Sequence, residues 1–129
     1  MRDISFVFFA TAAVAVTLGM AWGIQMSASG DHTLGGAHAH LNLVGWVTMA
    51  LFGVYYHLTP SAASSALSRI HFGLALSGLV TLVPGIVLAV SEQGETLAKL
   101  GSVLTIFSML VFLFTVFRHG FGAPREAAA

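Results

Sequence analysis

The chain has 129 residues, of which 57% are hydrophobic and only 8% are charged. Soluble globular domains are usually about half apolar and about a quarter charged, so this composition indicates a membrane protein. The formal net charge is zero, which gives no electrostatic basis for binding nucleic acid. Because cysteine is absent, disulfides, thiolate metal sites and covalent c-type haem attachment are excluded.

Four apolar runs are long enough to cross a hydrocarbon core of about 30 Å, which requires about 20 helical residues. They cover residues 4–27, 40–59, 70–90 and 97–117. The segments between them are short and contain Gly, Ser, Pro or acidic residues, which is typical of loops. The sequence therefore predicts an all-α fold, a four-helix transmembrane bundle that forms one domain over residues 1–129.

The basic residues predict how this bundle is oriented, because Lys and Arg in short loops favour the cytoplasmic side. With the N-terminus inside, Arg2, Arg69, Arg118 and Arg125 are cytoplasmic and Lys99 alone faces outward. Both termini are therefore predicted to be cytoplasmic. An alternative takes the first run as a cleaved signal peptide, but its apolar stretch is longer than such peptides usually carry and favours an uncleaved helix.

Two of the spans carry small residues at intervals of four, a pattern that lets membrane helices approach closely. The residues are Thr11, Ala15, Gly19 and Gly23 in the first span, and Gly73, Ser77, Thr81 and Gly85 in the third. We expect both rows to be packing faces. The sequence leaves open whether they pack within one chain or between copies in a homo-oligomer.

Six histidines fall near the two ends of the predicted bundle. The outer group is His32, His38 and His40, and the inner group is His57, His71 and His119. At 1.5 Å per residue, His40 and His57 are about 26 Å apart along one helix, so one metal cannot bind both groups. We expect the inner imidazoles to lie at the level of the lipid headgroups without a cofactor. A second site among them is left open.

The outer group has the donors of a metal site. His38 and His40 lie at the mouth of the second span, and His32 lies in the preceding loop. Imidazole is a ligand of copper, zinc and iron, and the thioethers of Met20 and Met26 are soft ligands for copper. A copper site that uses His32, His38 and His40 is one interpretation.

The second span carries a more specific pattern. Residues 40–60, "HLNLVGWVTMALFGVYYHLTP", resemble the second transmembrane helix of haem-copper oxidase catalytic subunits, especially the nitric oxide reductase and cbb3-type branches. The agreeing positions are His40, Asn42, Trp46, Phe52, Gly53, Tyr55, Tyr56, Leu58 and Pro60. Residues 69–85, "RIHFGLALSGLVTLVPG", resemble less specifically a later helix of the same family that begins His-Phe-Trp.

The resemblance implies that His40 is an axial ligand of a b-type haem near the outer face of a bacterial inner membrane. The family's other haem and copper ligands lie on helices that the four predicted spans do not include. Oxygen reduction is therefore not implied, and no catalytic residue is assigned. The resemblance implies instead electron transfer or haem handling in respiration, with quinol or a respiratory protein as redox partner.

A haem held between helices needs small residues to form a slot and large apolar side chains to exclude water. The sequence offers Asn42 to orient His40. For the slot it offers Gly19, Gly23, Gly45 and Gly53, for its walls Trp22, Trp46 and Phe52, and as a further cofactor-binding residue Met49. The second axial ligand is left among His32, His38, Met20, Met26 and a His40 from another copy of the chain.

Three functions stay open at this point. The first is a haem b-binding membrane protein, the second a copper-binding membrane protein, and the third a cofactor-free assembly subunit of a respiratory complex. All three place the chain in a lipid bilayer, and none of them requires it to be an enzyme.

Overall fold

The structure is a computed structural model that describes residues 3–124, and over these residues it contains helices and no strand. Helix α1 spans Ile4–Ser29, α2 spans Gly35–Leu58, α3 is the single turn Pro60–Ala63, α4 spans Ala66–Val90 and α5 spans Thr96–His119. All but α3 are long and apolar enough to cross a membrane. The predicted all-α class and the four spans are confirmed, and they support a multi-pass membrane protein.

The two ends of α1 are set by capping residues. The Asp3 carboxylate accepts hydrogen bonds from the Phe6 N–H at 2.9 Å and from the Ser5 hydroxyl at 2.6 Å, which satisfies a free donor of the first turn. At the other end, Gly30 adopts φ +71° and its N–H donates to the Met26 carbonyl at 3.0 Å. Such a left-handed cap is favourable for glycine because glycine has no Cβ to clash.

Short connections make the four long helices run up and down. We call the end of the bundle where α1 begins and α5 ends the terminal end, and the opposite end the loop end. At the terminal end, the Tyr55 hydroxyl of α2 donates to the Gly120 carbonyl at 2.8 Å, and the Gly122 N–H donates to the Thr59 hydroxyl at 2.9 Å. These bonds tie the residues that follow α5 to the end of α2. Arg2 and Arg125, which contributed to the predicted orientation, lie outside the described residues.

The helices pack most closely in two pairs, α1 with α2 and α4 with α5. A Cβ placed on Gly53 of α2 would lie 3.0 Å from the Ser5 carbonyl oxygen of α1. A Cβ placed on Gly101 of α5 would lie 2.5 Å from the backbone of Leu82 in α4. Both pairs therefore meet backbone to backbone, which maximises the dispersion contacts that hold helices together in lipid.

The two predicted rows of small residues have different outcomes. In α1, Ala15 and Gly19 are buried against α2, so this row is an intrachain packing face. In α4, Ser77 is exposed and a Cβ on Gly73 would meet no atom within 4 Å, so this part of the row is not an intrachain contact. The physical reason is that positions four apart move round a helix of 3.6 residues per turn by about 40° per step. The buried small and apolar residues of α4 are instead Ala75, Gly78, Leu79, Leu82 and Gly85.

The outside of the bundle is apolar as well as the inside. Leu43 and Leu51 of α2 are each 61% exposed, Ile24 of α1 is 71% exposed and Phe117 of α5 is 83% exposed. Soluble proteins rarely expose so much contiguous apolar surface. Contact with lipid explains it, and this agrees with the composition of the four spans.

Candidate functional site

His38 lies on the face of α2 that packs against α1. Its Nε2 is 3.0 Å from the Gly19 carbonyl oxygen and 3.1 Å from the side-chain amide nitrogen of Asn42. If Nε2 carries the hydrogen it donates to Gly19, and if it does not it accepts from Asn42. Trp22 meets the imidazole edge-on, with ring centroids 6.1 Å apart. In either tautomer, Nε2 is engaged inside the bundle and has no lone pair free for a metal.

Asn42 lies one turn after His38 on the same face of α2, as the spacing of four requires. Its amide donates to the His38 carbonyl at 3.1 Å, and its side-chain oxygen lies directly over Gly19. A Cβ on Gly23 would lie 3.1 Å from His38 Nε2. The space beside Gly19 and Gly23, which we predicted as a haem slot, is thus filled by Asn42 and His38. Asn42 orients His38 and not His40.

His40 lies on the outward face of α2, where its side chain is exposed. Its Nδ1 is 2.7 Å from the Gly36 carbonyl oxygen, one turn back on the same helix. Because a carbonyl oxygen only accepts, Nδ1 carries the hydrogen and donates it. In the neutral imidazole the lone pair is therefore on Nε2, for which no hydrogen bond is found among residues 3–124. Histidines that bind metals commonly have this arrangement, with the second nitrogen bonded to a backbone carbonyl.

His32 stands apart from both. It is exposed in the loop, and its Nδ1 donates to the Gly30 carbonyl at 3.2 Å. No three His, Asp or Glu side chains within residues 3–124 come close enough to share a metal ion. The described residues therefore do not bring His32, His38 and His40 together as a copper site. One cause is local, since His38 and His40 are two residues apart on a helix and point in different directions.

The remaining residues predicted for the cofactor site lie in helix contacts. Gly45 is buried, and a Cβ there would lie 2.9 Å from the Ala15 side chain and 3.1 Å from that of Leu79. Met49 is 1% exposed and belongs to the core. Trp46 is half-buried and contacts Phe9 edge-on at a centroid distance of 6.1 Å. These three residues join α2 to α1 and α4 and leave no slot between them.

Residues Leu41–Thr48 of α2 form a π-helix, in which backbone hydrogen bonds span five residues rather than four. The Thr48 hydroxyl follows the same spacing and donates to the Leu43 carbonyl at 2.8 Å. The π-helix begins directly after His40. Short π-helical segments are frequent at functional sites, and no pattern in the sequence predicted this one.

The inner histidines are not equivalent. His57 is exposed and His119 is half-buried, which agrees with a position near the membrane surface. His71 is fully buried, and its Nδ1 is joined to the Tyr56 hydroxyl by a hydrogen bond of 2.9 Å. The expectation that His71 lies among the headgroups is wrong. Helix α4 begins at Ala66, so His71 lies more than a turn inside it and faces the core.

An aromatic cluster surrounds His71 and connects α1, α2, α4 and α5. The ring centroid of His71 lies 4.4 Å from that of Phe52, 5.0 Å from that of Phe8 and 5.6 Å from that of Phe112. The Nε2 of His71 has no hydrogen-bond partner within the described part of the chain. Sequence analysis missed this cluster because its members come from four helices, although the Tyr-Tyr pair of α2 was noted.

Exposed His57 borders a groove of about 490 Å³ at the terminal end, between the start of α1 and the end of α2. Asp3 lies at its polar edge, where the Ser5 hydroxyl and then the Phe6 N–H hold the pKa of its carboxyl below the usual value. The rest of the groove is largely apolar and faces the surface of the bundle. A single exposed imidazole and a carboxylate already used as a helix cap do not make a metal site.

No protein-family model, no curated protein and no solved structure matches this chain. The resemblance of α2 to the second helix of haem-copper oxidase catalytic subunits therefore depends only on residues 40–60 themselves. Of those residues, His40 has an exposed imidazole whose Nδ1 is bonded to a backbone carbonyl.

Proposed function

We propose that this protein binds haem b in a bacterial inner membrane, with His40 as an axial ligand of the iron and both termini in the cytoplasm. The observation that carries the proposal is the 2.7 Å bond from His40 Nδ1 to the Gly36 carbonyl. In the neutral imidazole this bond leaves the lone pair on Nε2, and the side chain is exposed on the outward face of α2. The oxidase resemblance of residues 40–60 supports iron in a porphyrin over other metals.

The fit of a haem differs between the two sides of α2. On the inner side, Asn42 and His38 fill the space beside Gly19 and Gly23, so a porphyrin does not fit there. On the outer side, His40 is followed by Leu43 and Val47, which are 61% and 43% exposed and offer an apolar surface. A porphyrin is a large apolar ring, so this outward surface suits it.

The residues of this chain have three separate tasks in the proposed site. His40 Nε2 binds the iron, and the Gly36 carbonyl orients the imidazole and makes it a stronger donor by accepting from Nδ1. Leu43 and Val47 keep water from one side of the ring. A haem supplies one-electron chemistry when bound, so electron exchange with quinol or a respiratory protein is the role that we propose.

A visible spectrum and a metal analysis of the purified protein test the proposal. A Soret band in the wild type and its loss in His40→Ala are the expected results. His57→Ala is the matched control, because His57 is also exposed on α2 but lies at the terminal end. It should keep the band. A Soret band that survives His40→Ala would contradict the proposal, as would a wild type without haem, whether it contains copper or no metal.

A further inference from the structure

We infer that the groove at the terminal end binds one phospholipid with an ethanolamine headgroup, whose ammonium contacts Asp3 and whose phosphate contacts His57. The groove lies at the opposite end of α2 from His40, so this site is independent of the proposed haem. Its volume is about 490 Å³, which is within the range of small-molecule sites. Its polar edge includes Asp3 and His57, and its apolar part includes Phe6, Phe9, Val54 and Leu58.

The groove changes from polar to apolar as it runs into the bundle. Asp3 precedes α1 and His57 is next to the last residue of α2, so both lie at the terminal surface. Phe9 is six residues from Asp3 and Gly53 is four from His57, which places them about 9 Å and 6 Å deeper. At Gly53 the two helices touch, because a Cβ there would lie 3.0 Å from the Ser5 carbonyl oxygen. An amphiphile with its head at the membrane surface and its tail in the hydrocarbon matches this order of residues.

Asp3 has one oxygen left for such a headgroup. The hydrogen bonds from Ser5 and Phe6 both go to Oδ1, and no hydrogen bond to Oδ2 is found among residues 3–124. The side chain is exposed, and the other carboxylates in the described range lie at the loop end. A carboxylate attracts an ammonium and repels a phosphate. The groove therefore favours a headgroup with a cationic part over one that carries only a phosphate.

His57 supplies the second contact. Its imidazole is exposed and carries an N–H in every protonation state, which can donate to a phosphate oxygen. The pKa of Asp3 is lowered first by the Ser5 hydroxyl and, to a smaller extent, by charge on His57, so the two side chains lie near each other. They do not pair directly, since the one ion pair found among residues 3–124 joins Lys99 and Glu95. A dipolar headgroup can bridge them, with its ammonium on Oδ2 and its phosphate on the imidazole.

The same geometry distinguishes ethanolamine from choline. The ethanolamine ammonium has three N–H donors and can form a charge-assisted hydrogen bond to Oδ2, whereas the trimethylated nitrogen of choline has none. Both headgroups carry the phosphate that His57 contacts. Asp3 is therefore the residue that selects the lipid, and His57 is a residue that strengthens the binding of either.

Competition among three lipids with identical acyl chains tests this site in the full-length protein in detergent. The probes are phosphatidylethanolamine, phosphatidylcholine and phosphatidylglycerol, and native mass spectrometry counts the molecules of each that stay bound. We expect one ethanolamine lipid per chain. Asp3→Asn should reduce its preference over the choline lipid by about two- to fivefold, as for other exposed charge pairs. Asparagine caps a helix as well as aspartate does, so α1 should keep its first turn.

Two further variants separate the contacts. Asp31→Asn is the matched control, because Asp31 is an exposed carboxylate at the loop end, and it should keep the preference. His57→Ala should weaken the binding of the ethanolamine and choline lipids alike. Equal binding of the three lipids by the wild type, a preference for the glycerol lipid, or a preference that is unchanged in Asp3→Asn would overturn the inference.

Fluorescence quenching locates the bound lipid. Trp46 contacts Phe9 of the groove at a centroid distance of 6.1 Å, and Trp22→Phe leaves Trp46 as the only tryptophan of the chain. In this variant, an ethanolamine lipid with brominated acyl chains should quench Trp46 more strongly than a brominated choline lipid at the same mole fraction. Equal quenching by the two lipids would contradict the site, as would displacement of the ethanolamine lipid by an equimolar quinol.

Discussion

Replacing Gly101 by alanine should destabilise the bundle, although alanine is the better helix former. Gly101 lies in α5, where it meets the backbone of Leu82 in α4. A Cβ at this position would be 2.5 Å from both the backbone N and the Cα of Leu82. Ordinary van der Waals contact begins near 3.4 Å, so α4 and α5 must separate by about 1 Å. A backbone cannot turn aside as a flexible side chain can.

The expected magnitude is the difference between two effects. Alanine gains about 1 kcal/mol over glycine in a helix interior. Overpacking a closely packed contact costs about 1–3 kcal/mol, and a collision with backbone belongs at the upper end of that range. We therefore expect Gly101→Ala to lower the free energy of unfolding by about 1–2 kcal/mol.

Unfolding in detergent, followed by far-ultraviolet circular dichroism during an SDS titration, measures this change. Gly73→Ala is the matched control, because Gly73 lies in α4 and a Cβ there meets no atom within 4 Å. Only the helix preference acts at that position, so stability should be unchanged or slightly increased. If both variants unfold at the same SDS fraction as the wild type, α4 and α5 do not meet in the way described here.

Three further results are expected. Tyr56→Phe should cost about 1–3 kcal/mol of stability, since it leaves the buried Nδ1 of His71 without its 2.9 Å partner, and an unchanged SDS titration would contradict this. The Ser5 hydroxyl holds the pKa of Asp3 in the folded state below its usual value of 3.8. The contribution of this carboxylate to the free energy of unfolding should therefore be full above pH 3.8 and lost as the pH falls below it. Asp3→Asn should flatten that part of the stability curve, and an unaltered pH profile would argue against the cap. Alkaline phosphatase fused within residues 28–39 should be active and at the C-terminus inactive, and the reverse pattern would invert the proposed orientation.

The spans were predictable because each is an apolar run with a loop on either side, and lipid solvation imposes that pattern. The helix ends were less predictable. Helix α2 begins at Gly35 and not at residue 40, and α4 begins at Ala66 and not at residue 70. In both cases the first turns contain polar or small residues, so their mean hydropathy is too low to mark them as part of a membrane span. The burial of His71 was missed for this reason.

The chemistry of the outer site was only partly predictable. The sequence identified His38, His40 and Asn42, but their division between two faces of α2 depends on helical phase. A spacing of four places His38 and Asn42 on one face and a spacing of two directs His40 elsewhere, so the pattern itself contained this signal. The bond from His40 to Gly36 also follows from a spacing of four. No pattern in the sequence contained the π-helix over Leu41–Thr48.

The π-helix Leu41–Thr48 makes the length of α2 adjustable. A chain with one residue fewer in this segment could close the same span as an ordinary α-helix, without breaking it. Because the wider turns hold the additional residue, the two halves of α2 would keep about the same rotation, and His38 would stay beside Gly19. In α4 or α5 the same deletion would turn every later side chain by about 100° about the helix axis. The π-helix is therefore the place in the bundle where a residue can be lost without exchanging the faces of a helix.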